Sequence, residues 1–487
     1  MNLHLSKNKL IAILLLPTVS FGQLPIYERH IKMPAISGNC EVEIGDIDVE
    51  GKTDEMPGFY TRIKSTLLGK VEGFDTSGLI EIDHSDLKQL YLSAEKEKIK
   101  GQAGDIYLDI SRLTATGLNL RGLNLERKSK NLFSLFLGRT KEAEEDVFAQ
   151  YGGGIRAEFY PKETKVGFTC LSFLDDESSA NLPNLSPISS NVFSLFGSKQ
   201  LKKMGSSVES ELAMSSFTPD RRKKETKKDM AMTVKLIGSH EGKEIELSYN
   251  HIGKDYQTAG NPYLLNDKET LGIKATQPIK RAILVTGYEK GRESGIDTEK
   301  IEVELKDLAF LGITTKTGVE MEKKKEKSDY NRIYLELEKE VKCLSLSPAY
   351  EWTGYDDEAV DSSDYTMNNL SLGAVGDIGS VTLSSNVGYS LSSKGTEKAK
   401  EANYNLFLSA SYQLADFLFE PEYSLYLDRE EKKKIQQEEM LSISLKYSIS
   451  PKYQGVLGYE NKELKDFSAS SNNYKIKTLK TGFQVLF

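Results

Sequence analysis

The chain lacks any apolar run long enough to cross a bilayer as a helix. The longest such stretch, Leu10 to Leu16, falls well short of the roughly 20 residues a spanning helix needs. A helical membrane protein is excluded. Cysteine is scarce too: Cys40, Cys170 and Cys343 are far apart and odd in number, so they make no disulfide framework, and nothing near them has metal-ligand spacing. Beyond the first residues the histidines are His30, His84, His240 and His251, with no pair at helical metal spacing and no nucleophile elbow. His251 near Asp255 would be half of a hydrolase site, but no serine partner is identifiable. The glycines of 151 to 160 precede no helix and so form no phosphate cradle. The expectation is therefore no enzyme and no cofactor. Nor is there an excess of positive charge: 64 Lys and Arg against 72 Asp and Glu give a net charge of -8. Bulk electrostatics thus speak against nucleic acid as a partner.

What is present begins with a leader. Lys7 and Lys9 precede the apolar run, and Pro17, Ser20 and Gly22 approach a small-residue cleavage site, the pattern of a secretory signal peptide over residues 1 to 22. No Cys follows the site to take a lipid.

The rest alternates in steps of two. Leu441, Ile443, Leu445, Tyr447 and Ile449 are interleaved with Ser442, Ser444, Lys446 and Ser448, giving one greasy face and one wet face. The same holds for Tyr404, Leu406, Leu408, Ala410 and Tyr412, for Ile301, Val303 and Leu305, and for Ile245, Leu247 and Tyr249. Period two predicts strands. Between Leu120 and Leu123 the apolar phase shifts around Gly122, as a β-bulge would cause.

Connections alternate between two kinds. Short ones lie at 449 to 452, 376 to 380 and 239 to 243; longer polar ones lie at 220 to 229, 322 to 329, 394 to 402 and 429 to 439. Tight turns at one end with longer loops at the other mark a membrane barrel more than a soluble sandwich. Hairpins counted back from the end, with 58 to 73 set against 88 to 99, predict an all-β fold: a large antiparallel transmembrane β-barrel of about 22 to 24 strands over residues 58 to 487. Residues 23 to 57 are expected to form a short periplasmic or lumenal segment outside the barrel wall.

The last nine residues carry the sharpest pattern: Leu479, Thr481, Phe483, Val485 and Phe487 hold alternate positions and end on an aromatic. This resembles the closing strand of Gram-negative outer-membrane β-barrels, with Thr481 departing from the apolar preference. The resemblance implies an outer-membrane location after export, lipid as the surrounding medium, and the barrel assembly machinery as a partner that reads Phe483, Val485 and Phe487. Nothing near the N-terminus resembles the energy-coupling box of active iron transporters.

Such a barrel needs aromatic girdles at its rims. Tyr249, Tyr350, Trp352, Tyr389 and Tyr404 are expected at outer strand ends, and Tyr412, Phe417, Phe419 and Tyr447 at inner ends. The opposite face would line the lumen with Arg156, Glu158, Lys235, Glu244, Glu246, Glu302, Glu304, Glu336, Glu338, Lys446 and Lys480. A merely solvated strand face is the plainer reading of these charges, a selective constriction the sharper. Two loops are long, 175 to 191 and 250 to 268. The second holds Tyr256, Asn261, Pro262, Tyr263, Leu264 and Leu265, apolar enough to pack: on the surface in the plainer reading, inward as a constriction in the sharper. The sequence thus points to a porin-like channel for passive diffusion of small hydrophilic solutes. The alternative is a surface protein that uses the barrel as a platform for binding or adhesion.

Overall fold

In the computed structural model the period-two segments are strands throughout. The structure describes residues 35–51, 58–71, 73–84, 86–144, 147–180, 185–202, 205–223, 225–310, 312–325, 327–357, 364–394, 399–430, 433–469 and 472–486. The stretch expected to be a signal peptide, residues 1 to 22, and Phe487 lie outside them.

The first strands are β1 (Ala35–Gly51), β2 (Gly58–Val71), β3 (Phe74–Asp83), β4 (Asp86–Lys96) and β5 (Ile99–Leu108). Then come β6 (Leu118–Lys128), β7 (Asn131–Lys141), β8 (Gln150–Phe159), β9 (Thr164–Asp175), β10 (Ser189–Leu201), β11 (Ser206–Thr218), β12 (Lys227–His240) and β13 (Lys243–Ile252). The third group is β14 (Lys268–Ile279), β15 (Ala282–Glu293), β16 (Ile296–Phe310), β17 (Ile313–Lys324), β18 (Ser328–Val341), β19 (Leu344–Asp357) and β20 (Tyr365–Ile378). The last is β21 (Val381–Lys394), β22 (Ala399–Leu414), β23 (Phe417–Glu430), β24 (Lys433–Ser450), β25 (Tyr453–Asp466) and β26 (Tyr474–Leu486). Each strand pairs antiparallel with the next, and β1 pairs with β26 from Asn39 opposite Leu486 to Gly51 opposite Tyr474. The sheet is a closed 26-stranded barrel, which leaves no edge unpaired in lipid.

The strand count exceeds the expected 22 to 24 because two strands escaped the hairpin reading. Residues 35–51, inside the stretch expected to stand apart, form β1 and close the barrel. Residues 58 to 73 do not pair with 88 to 99, since β3 lies between β2 and β4. The expected bulge at Gly122 is absent: Gly122 pairs in register with Gly104 and Gly138. Register shifts fall elsewhere, for example between Leu305 and Leu308 and between Asp428 and Arg429.

The two ends of the barrel differ as the sequence led one to expect. One end carries tight turns, such as Glu241–Gly242, where both residues have positive φ as a type I′ hairpin requires. That end also holds the start of β1 and the end of β26. The charged runs at the other end are mostly strand, not loop: Lys323 and Lys324 belong to β17 and Ser328 already opens β18. The strands there outrun the roughly 10 residues a crossing needs.

Leu123, Leu125, Leu135, Leu137, Leu271, Ile273, Leu370 and Leu457 point outward and are exposed, forming the apolar band. Its rims carry aromatics. Tyr389 and Tyr404 meet at 5.0 Å on the longer-loop side, and Phe417 stacks on Tyr447 at 4.5 Å on the tight-turn side, joined by Tyr453 on Phe483 at 5.9 Å. Tyr404 and Tyr412 sit eight residues apart on β22, about 26 Å along the strand. Tilted by about 40°, that is roughly 20 Å of height, and the rings themselves complete a band of about 25 Å.

Candidate lumenal path and its loop plug

The wet face is not wet all the way round. On the inner wall of β6 to β13 many inward positions are apolar and buried, namely Leu118 and Leu120, Phe136, Leu171 and Phe173, Val192, Ala213, Ala231 and Ile252, interspersed with buried Thr169, Ser190, Ser194 and Ser215. Two connections at the longer-loop end fold in and cover them, 109–117 after β5 and 253–267 after β13.

The first loop closes on itself. Ser111 and Ala115 exchange backbone bonds of 3.1 and 3.0 Å, and the Ser111 and Thr114 hydroxyls are 2.8 Å apart. The second is pinched at its base, where Asp267 N donates to Gly253 O at 3.1 Å and Asp255 N to the Asp229 carboxylate at 2.9 Å. A Cβ at Gly253 would stand 2.3 Å from that carboxylate, so a side chain there would displace the Asp229 group that receives Asp255 N.

The loops then bind each other. Tyr256 Oη donates to Leu113 O at 2.5 Å, Thr258 Oγ1 to Thr114 O at 2.8 Å, Asn261 Nδ2 to Arg112 O at 2.7 Å, and Thr116 N to Gly260 O at 3.2 Å. The wall holds them in turn. Ser111 Oγ donates to Glu211 Oε1 at 2.7 Å, Arg156 Nη1 to Ile110 O at 2.6 Å, Gln257 N to Ser215 Oγ at 3.3 Å and Ala259 N to Ser190 Oγ at 3.2 Å. Buried polar backbone is thereby satisfied in an otherwise dry contact. Burial of Tyr256, at 1% exposure, and of Leu113 contributes about 1.5–3 kcal/mol each.

Of the six residues expected in a constricting loop, Tyr256 is the anchor, Asn261 bonds the partner loop and Leu264 packs against the cluster. Pro262, Tyr263 and Leu265 are exposed, Tyr263 at 91%. The loop therefore packs inside the barrel and not on its surface. The other long loop braces the rim instead: Asp175 accepts from Gln150 Nε2 at 2.8 Å and from Ile188 N at 2.9 Å, and Arg221 Nη1 reaches Asp175 O at 2.7 Å. Beside it the Ser178 hydroxyl and amide hold the Asp176 carboxyl below the usual carboxylate range.

All eleven charges assigned to the lumen lie on the inward face, but in two settings. Arg156 and Glu158 are paired beneath the plug, where Glu158 is buried and also faces Lys165 at 3.5 Å. The other nine lie outside the dry contact. Lys235 pairs with Glu246 at 2.8 Å, and Glu302 faces Lys274 at 3.6 Å. Glu304 takes Lys306 at 2.8 Å and the Tyr334 hydroxyl at 2.7 Å, while Lys316 bridges Glu304 and Glu336. Lys446 pairs with Glu420 at 2.7 Å and Lys480 approaches Glu43 at 4.0 Å. Glu244 and Glu338 sit near the tight-turn ends of β13 and β18. Beside the plug, Arg112, Glu246, Lys274, Lys300 and Glu302 line a recess of about 370 Å³. His251 shares the outward face of β13 with Tyr249, and Asp255 is held by Lys227 at 3.0 Å, so the two are not arranged as a site.

The loop 109–117 and its wall partner Glu211 escaped the sequence reading. Their signal was there: Leu118 and Leu120 put apolar residues on the wet face, and in a barrel that means something covers them.

The fold is similar to that of a chain in the E. coli P pilus tip assembly intermediate PapC-PapD-PapK-PapG, with a TM-score of 0.54 at 9% identity, over 88% of this chain. The chain spans about 63% of that chain's length. Also similar are the siderophore receptor PirA from Pseudomonas aeruginosa (TM-score 0.49, 10% identity, 93% of this chain and 80% of that one) and the P pilus usher (PapC) translocation pore (0.42, 9%, 92% and 99%). No protein-family model and no curated protein matches the chain. The architecture is that of a large outer-membrane β-barrel.

Proposed function

We propose that this barrel is a porin-like channel through which small hydrophilic solutes diffuse passively, with its bore narrowed on one side by the docked loops. The observation that carries this reading is the asymmetry of the inner wall. The apolar patch that the loops cover lies along β6 to β13, while β14 to β19 present a lattice of partly exposed acids and bases. Carboxylates in such number are costly to strip of water, so this sector favours a hydrated path. A 26-stranded barrel is also too wide for side chains alone to fill. The reading assigns the chain no catalytic activity, and it places export by the signal peptide and insertion by the assembly machinery upstream of function. The platform alternative has less support: connections such as Ser294–Gly295 are too short to build a binding surface beyond the strand ends.

The test is conductance of the purified, folded protein in planar bilayers. Stepwise ion conductance is expected, with a larger step when 256–265 is shortened. Electrical silence of folded protein, with both inward loops trimmed, would overturn the channel reading in favour of the platform.

A further inference from the structure

On the outward face of β7 to β12 one level of the sheet breaks the apolar band. Leu137, Gly153, Ser172, Asn191, Ser216 and Lys228 are directly paired across six neighbouring strands. The level below them holds Leu135, Ile155, Cys170, Phe193, Met214 and Met230 in the same way. Where the upper row is small, the wall is hollowed into a groove of about 970 Å³. The row is not a rim above the lipid, for Tyr151 and Leu174, nearer the strand ends on the same face, are exposed apolar residues. Ser172 lies three residues from the end of β9, about 10 Å along the strand.

Hydroxyls and an amide at this depth need partners, because hydrocarbon supplies none. Among the described residues the side chains of Ser172, Asn191 and Ser216 make no hydrogen bond, and Lys228 has no ion pair, whereas its neighbour Lys227 is bound to Asp255. The groove thus offers an apolar floor, a line of hydrogen-bonding groups and one uncompensated cation at its end.

We propose that this groove binds one anionic lipid of the outer leaflet: an acyl chain lies along the floor of Leu135, Ile155, Phe193 and Met214, the lipid's ester or amide linkages bond Ser172, Asn191 and Ser216, and its phosphate meets Lys228. The occupant comes from the bilayer because the groove opens only onto the lipid-facing side. It is anionic because Lys228 is the charge left unpaired. A second copy of this chain would have to bring an acidic, protruding row of its own; the matching row here is recessed.

The test uses the full-length folded protein in detergent, with native mass spectrometry after addition of phosphatidylglycerol or phosphatidylcholine of matched acyl chains. One phosphatidylglycerol should be retained at least tenfold more tightly than phosphatidylcholine. Lys228→Gln should bring the two lipids within about twofold, and Ser172→Phe, which fills the hollow from the lipid side, should lose both. Asn191→Phe serves the same purpose should Ser172→Phe not give the heat-modifiable gel shift of a folded barrel. Equal retention of the two lipids by the unaltered protein, retention undiminished in the filled variants, or a lipid-free dimer that those variants abolish would each overturn the proposal.

Discussion

The Tyr256 hydroxyl donates to the Leu113 carbonyl at 2.5 Å across 143 residues of sequence, with the tyrosine ring 1% exposed. One side chain thereby ties together two loops that leave the barrel on either side of eight strands, β6 to β13. With three more bonds between the loops, they form a single bonded plug.

Replacing this tyrosine separates its two contributions. Tyr256→Phe keeps the ring but strands a buried carbonyl, at a cost of about 1–3 kcal/mol. Tyr256→Ala also empties the ring's place, about 3–5 kcal/mol. Amide hydrogen exchange should therefore rise at 109–117, where no residue was changed, and more in the alanine variant. Unchanged exchange there in Tyr256→Ala would show that the loops are held independently.

The wall beneath the plug gives a second handle. A Cβ on Gly154 would stand 2.5 Å from both Leu171 Cδ2 and the Cys170 carbonyl oxygen, whereas one on Gly455 would meet nothing within 4 Å. Gly154→Val should overpack the contact by about 1–3 kcal/mol and loosen the plug without touching either loop. Gly455→Ala should leave thermal stability and conductance as they were. Equal behaviour of the two variants would mean that the dry contact does not hold the plug.

The barrel was legible because alternation is written into every strand: Ile301, Glu302, Val303 and Glu304 state both faces at once. β3 was harder, since Leu79, Ile80 and Ile82 put apolar residues on successive positions and blur the period. The plug was half legible. Tyr256 and its loop stood out by length and aromatic content, but the direction in which it packs depends on a surface 140 residues away that no local pattern reveals. The shift of phase between Leu120 and Leu123 was the trace of that surface. In a period-two reading it looked like a bulge, yet the backbone runs straight and the apolar face changes sides because Leu118 and Leu120 are roofed by the loops. The charged runs misled in the opposite sense, because polar composition suits a strand end standing in water as well as a loop.

The two settings of inward charge predict different phenotypes for one chemical change. Glu302→Gln removes an accessible carboxylate 3.6 Å from Lys274, so the path gains net positive charge and ion preference should move toward anions with little change in stability. Glu158→Gln leaves Arg156 and Lys165 without their buried partner, a loss of about 3–5 kcal/mol, and frees the arginine that holds the Ile110 carbonyl. Thermal stability should fall and ion preference should stay nearly constant. Reversal potentials in a salt gradient, read beside melting curves, distinguish these; a selectivity change at Glu158 as large as that at Glu302 would place the buried pair in the path after all.

The orientation of the barrel underlies both the plug and the lipid groove, and it can be tested on whole cells. The plug loops, the braced rim around Asp175 and the connection 219–226 all leave from one end, while Gly379–Ser380 and the start of β1 lie at the other. Short periplasmic turns and longer outer loops put the first end outside. An epitope inserted after Glu225 lies between β11 and β12, clear of the Lys227–Asp255 pair, and should be labelled on intact cells. One inserted between Gly379 and Ser380 should be reached only after the outer membrane is permeabilised. Both variants should keep the heat-modifiable shift, since each tag sits outside the paired registers. The reverse pattern of labelling would turn the barrel over: the plug would then guard the periplasmic mouth, and Lys228 would face the inner leaflet, where the proposed lipid would have to be sought instead.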